Sequence, residues 1–141
     1  MPRGVSEEVY QEVYRLAMLI AQAVSEADDD AEEFYYERLQ DYCQIEFEAG
    51  GERAFLWETL GDFSRDHGTA MEYYRRALAI AEREGSPSHG ILIAMGERHV
   101  LNGDRTLGRE YLQAGLKQAF AFGDADMISR ADEALYRLGP A

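Results

Sequence analysis

The segment from Trp57 to Gly85 returns in altered form about 35 residues later, and no other feature limits the fold as tightly. Residues 57–68 set on residues 92–103 pair Trp57 with Leu92, Leu60 with Met95, Gly61 with Gly96 and Gly68 with Gly103, all at an offset of 35. The segment that follows matches at an offset of 38. It pairs Ala70 with Gly108, Tyr74 with Leu112, Ala77 with Gly115, Ala81 with Ala119 and Gly85 with Gly123. Small residues at Gly61, Ala70 and Ala77 let two helices approach closely, while Trp57, Leu60 and Tyr74 fill the space around them. The three-residue difference is assigned to the turn after Gly68 or Gly103, where changes of length cost little.

Apolar residues recur at helical spacing along most of the chain, and prolines occur only at positions 2, 87 and 140. A first helix is expected from about Ser6 to Ser25, with Tyr10, Val13, Tyr14, Ala17, Met18, Ile20, Ala21 and Val24 as its apolar face. Asp28-Asp29-Asp30 breaks the pattern and offers a cap for a second helix, Ala31 to Ala49, closed by Gly50-Gly51. Its stripe is Phe34, Tyr35, Leu39, Tyr42, Cys43, Ile45 and Phe47. The third helix is expected over Glu52–His67, with Gly68 as its stop, and the fourth over Thr69–Glu84. Ser86-Pro87 reads as a cap with a first-turn proline opening a fifth helix, which ends near Asn102-Gly103. A sixth starts near Asp104 and ends at Gly123. A seventh, capped by Asp124, carries Met127, Ile128, Ala131, Leu135 and Leu138. Short turns make successive helices antiparallel, so the expected class is all-α.

Trp57-x-x-Leu60-Gly61 followed by Ala70-x-x-x-Tyr74-x-x-Ala77 resembles the tetratricopeptide repeat, whose period is near 34. The resemblance covers residues 52–123. It departs from the family at Ser64, where a Tyr is usual, in the absence of the terminal Pro, and in a turn after Gly68 that is three residues short. It implies a right-handed superhelical stack of about seven helices in one domain spanning 1–141. Residues 6–51 would be a degenerate first helix pair or cap, 52–85 and 86–123 two repeats, and 124–138 a last helix.

The net charge of −13 is unevenly distributed. Residues 1–50 carry 13 acidic and 3 basic side chains, net −10, and the remainder carries 14 and 11. Such a surface repels phosphate backbones and anionic lipid, so neither nucleic acid nor membrane is an expected partner. It would speed association with a basic protein. The lone Cys43 forms no intramolecular disulfide, and no basic-then-apolar leader opens the sequence, so a cytoplasmic location is expected.

No phosphate loop, dinucleotide fingerprint, serine elbow or paired-Cys metal site occurs. His67, His89 and His99 are never at i, i+4 spacing, and Asp28-Asp29-Asp30 lacks the spacing of a calcium loop. Cys43, within an apolar stripe, reads as a buried, inert thiol. No catalytic residue, metal site or cofactor is expected, and an enzyme is not.

Tetratricopeptide stacks hold peptides or protein segments in the groove lined by the first helix of each pair, and the resemblance carries this expectation here. The third helix would present Phe55, Glu58, Asp62, Arg65 and Asp66. The fifth would present Ile93 and Glu97, with Val100 and Leu101. Members that grip acidic chaperone tails use Lys, Arg and Asn in this groove, whereas Glu58, Asp62 and Glu97 have the opposite sign. The expected function is therefore a dedicated binder of a basic protein or peptide, of the secretion-chaperone or toxin-neutralising immunity kind. The groove and the acidic first 50 residues are alternative contact surfaces. The alternative function is a self-associating assembly module, with Tyr35, Tyr36 and Tyr73 at a homo-oligomer contact.

Overall fold

A computed structural model describes residues 2–141. The described residues form seven α-helices: α1 (Glu7–Ser25), α2 (Asp29–Glu48), α3 (Ala54–Phe63), α4 (His67–Glu84), α5 (His89–Leu101), α6 (Arg105–Phe122) and α7 (Ala125–Leu138). The protein is all-α, and no strand occurs among the described residues. Residues up to Ala77 form one compact unit and residues from Leu78 onward a second, with the division falling inside α4.

Side chains cap most of the helix starts, α3 and α5 excepted. Ser6 Oγ accepts the Val9 N–H at 3.2 Å, and Asp28 Oδ1 accepts that of Ala31 at 3.1 Å. Asp104 does the same for Leu107 and Asp124 for Met127. The helix ends share one geometry. After α1, α2, α4, α5 and α6, an N–H reaches back five residues: Asp28 to Ala23, Gly51 to Glu46, Ser86 to Ala81, Asp104 to His99 and Asp124 to Ala119. This closing bond needs a left-handed residue before the donor. Glycine supplies it at Gly50, Gly85, Gly103 and Gly123, but α1 uses Ala27 at φ 54°.

Three expected boundaries are corrected. α3 ends at Phe63, because Ser64 is extended (φ −73°, ψ 133°). Asp66 then caps α4, its Oδ2 accepting both the N–H and the hydroxyl of Thr69 at 2.8 Å. Gly68 therefore lies in the first turn of α4 and terminates nothing. The N-cap of α5 is Ser88, not Ser86, so Pro87 stands just outside the helix. The three-residue shift between the halves lies in a helix and not in a turn. α3 has 10 residues and α5 has 13, whereas α4 and α6 both have 18. α3 is α5 without its last turn.

In the first unit, α1 and α2 pack against each other and both meet α3 around Leu16, Ile20, Leu39, Cys43, Leu56 and Leu60. The indole of Trp57 stacks on Phe47 at 4.3 Å between centroids, and Arg76 covers it at 4.9 Å. In the second unit, α5 runs antiparallel along α6, and both pack against α7 around Ile93, Leu112 and Ala131. Gly96 and Gly108 face each other there. A Cβ on either would stand 3.0 Å from the carbonyl oxygen of the other. The first unit repeats the close approach with Gly61 against the Tyr74 ring.

The apolar face expected for α1 is displaced. The helix buries Val13, Leu16, Ile20 and Ala23, while Tyr14 and Met18 are each 52% exposed and Val24 56%. The apolar arc of α1 is wider than its contact with α2 and α3, and the surplus faces outward. On α2, Phe34 and Ile45 are likewise exposed.

Candidate functional site

The residues expected to line a groove have different positions. Ile93 is completely buried beside Leu112 and Ala131, so it is a core residue and offers no contact surface. Phe55 is half-buried, its ring 5.6 Å from that of Tyr10. Glu58 is half-buried on α3. Asp62 is exposed but accepts the Tyr74 hydroxyl at 2.7 Å. Asp66 is the α4 cap, and the Thr69 N–H, then its hydroxyl, hold the carboxyl below the ordinary carboxylate range. Arg65 reaches back to α2, where it pairs bidentately with Glu32 and lies 3.1 Å from Asp29. Glu97 is held by Arg130 of α7, whose Nε is 3.1 Å from both carboxylate oxygens. Three of the expected charges are thus engaged by partners on neighbouring helices.

The tyrosines considered for a homo-oligomer contact are partly buried. Tyr35, Tyr36 and Tyr73 pack against the core of the first unit, and the Tyr36 hydroxyl donates to the Leu60 carbonyl at 2.8 Å.

Acidic side chains without such partners are concentrated on α2. Asp30, Glu33, Glu37, Asp41 and Glu48 are all exposed, and their spacing of three, four, four and seven keeps them on one face. Glu33, Glu37 and Asp41 make no ion pair among the described residues. The last turn of α2 contains no basic residue. Beside this stripe lie the exposed Phe34 and Ile45, with Arg38 stacked over the Phe34 ring at 4.7 Å.

Next to α2, the outward face of α1 forms an open trough of about 1210 Å³ lined by Tyr14, Met18, Leu19, Ala21 and Tyr42, with Glu8, Glu12 and Arg15 among its polar groups. Arg15 is bound to Glu12, with Nη2 2.6 Å from Oε1. The Tyr42 phenol is pushed up by burial first, then by Glu46, Glu12 and Glu8, and so sits in a negative local field. The wide arc of α1 was the sequence signal for this face: eight apolar positions are more than one helix pair can cover.

In the second unit, Val100, Leu101, Leu112, Ala134 and Leu138 line a cavity of about 500 Å³ rimmed by Glu97, Arg105 and Arg137. Arg105 donates to the Leu138 carbonyl, and Arg137 pairs with Glu133. Leu101 is 86% exposed there, while Val100 packs against the core.

His89 opens α5 and is buried, with Nε2 2.8 Å from Asp124 Oδ2. That bond, followed by the Met127 N–H, lowers the pKa of Asp124. Burial pushes the Cys43 thiol up to about 12, away from the thiolate that nucleophilic chemistry needs. Among the described residues no group of three His, Cys, Asp or Glu is arranged to hold a metal ion. No described helix is long and apolar enough to cross a membrane. No family model, curated protein or solved structure matches this chain.

Proposed function

We propose that this chain is a non-enzymatic protein-interaction module of the tetratricopeptide-like, helix-pair kind, and that it binds a basic protein through its acidic first unit. The observation that carries the reading is the exposed α2 face of Asp30, Glu33, Glu37, Asp41 and Glu48, which make no ion pair among the described residues. Like charges four apart on a helix cost roughly 0.2–0.5 kcal/mol per pair, and an acid near a helix C-terminus opposes the dipole. The repulsion among Glu33, Glu37 and Asp41 would be relieved when a cationic surface covers them. The repeat correspondence between α3–α4 and α5–α6, with Gly61 and Gly96 in equivalent close contacts, supports the helix-pair reading.

The engagement of Asp62, Arg65 and Glu97 within the fold supports α1 and α2, rather than the expected groove, as the contact surface in this reading. A dedicated cytoplasmic binder of the chaperone or immunity type fits a small acidic module of this kind. Affinity capture of the intact chain from native lysate at low salt, with mass spectrometry, tests the reading. It predicts one stoichiometric basic protein that high salt releases. Recovery of the chain alone, as a homo-oligomer, would replace it with the assembly reading.

A further inference from the structure

The apolar trough on α1 is bordered by carboxylates, and this combination specifies its occupant. Tyr14 and Met18 are half-exposed on the side of α1 opposite Val13, Leu16, Ile20 and Ala23. From Glu8 to Ser25 the lining runs for about 26 Å at the helical rise per residue. The backbone of α1 is closed on itself, so the trough offers no ladder for an added strand. A helix of about five turns matches that length, satisfies its own backbone hydrogen bonds and presents one continuous apolar face to the trough. The polar flank selects the charge of that helix. Glu8 stands at one end with Glu12 beside it, and Arg15 is neutralised by Glu12, so the charge left on the lining is negative.

We propose that the trough is the docking site for a basic amphipathic helix of the partner, whose apolar face covers Tyr14, Met18 and Tyr42 and whose Lys or Arg residues meet Glu8 and Glu12. This rests on the basic-partner reading above and adds the place and form of the contact. A second copy of the chain fits less well, because it would bring another net charge of −13 to an acidic border.

The test uses the intact chain, isotope-labelled for NMR, and a synthetic Lys/Leu helix of five turns with its apolar residues on one face. A peptide of the same composition with the amphipathic phase scrambled is the control. The phased peptide should perturb the Met18 methyl and the Tyr14 and Ala21 signals. Binding should weaken at least tenfold for the scrambled peptide and for the Met18→Glu chain, whose circular dichroism should match wild type because Met18 is exposed. Perturbation confined to other acidic surface, or equal binding of both peptides, would overturn the trough while leaving the basic-partner reading standing. Absence of binding by either peptide at low salt would count against both. A concentration-dependent dimer broken by Met18→Glu would assign the face to a second copy instead.

Discussion

Gly61 lies so close to the ring of Tyr74 that a Cβ added to it would stand 2.8 Å from Cε1. The ring has little freedom to withdraw, since Tyr74 is 2% exposed and its hydroxyl is bound to Asp62. At an ordinary helical site, replacing Gly with Ala gains about 1 kcal/mol from helix propensity. Here overpacking should dominate, so Gly61→Ala should lose roughly 1–3 kcal/mol. Gly108→Ala should behave alike, its Cβ meeting the Val100 side chain and the Gly96 carbonyl. Urea titration reads the sign, and a gain in stability at either position would contradict the close approach.

Ala27 should give the opposite result. It occupies a left-handed conformation that costs an L-residue roughly 1–2 kcal/mol, while the other helix ends closed by the same bond use glycine. Ala27→Gly removes that strain and adds some chain entropy to the unfolded state. The expected net effect is stabilisation by about 0.5–1 kcal/mol. An unchanged or lower urea midpoint would show that the turn is not held in this conformation.

The Asp66 cap sets a pH dependence of definite sign. Its folded pKa lies below the ordinary value, so its contribution is complete above that value and is lost as pH falls through the folded one. Wild type should exceed Asp66→Ala in stability at neutral pH, and the gap should shrink below about pH 4. Asp66→Asn caps without titrating, so its gap to Asp66→Ala should hold steady. Chemical denaturation from neutral to acid pH measures both. A wild-type gap that persists in acid would mean the carboxylate is not the cap.

These sites also separate what the sequence could convey from what it could not. Gly50, Gly85, Gly103 and Gly123 mark helix ends legibly because a left-handed cap favours glycine, whereas Ala27 fills the same role with no signal. The short α3 was hidden by Gly68, which reads as a stop. Asp66 followed three residues later by Thr69 was the stronger sign, a helix start that left no room for a longer α3. The frame of Gly61, Ala70 and Tyr74 was legible because close helix packing demands small residues at fixed spacing. Engagement of Asp62 by Tyr74 and of Glu97 by Arg130 was not, since it depends on register between helices. On α1, periodicity identified an apolar arc but not which edge of it is covered: Leu16 and Ala23 are buried, and Tyr14 and Met18 are not.

The most direct test of the central claim is the association rate of the captured partner as salt rises. Steering by the α2 face acts over a Debye length of about 8 Å at physiological ionic strength, so the rate should fall at least tenfold from low to high salt. Glu37→Lys with Asp41→Lys should lower the low-salt rate and flatten the dependence. Glu58→Lys with Asp62→Lys should have a smaller effect on association, since Asp62 already serves Tyr74. An association rate that is flat across salt and indifferent to the Glu37 and Asp41 reversal would contradict the account.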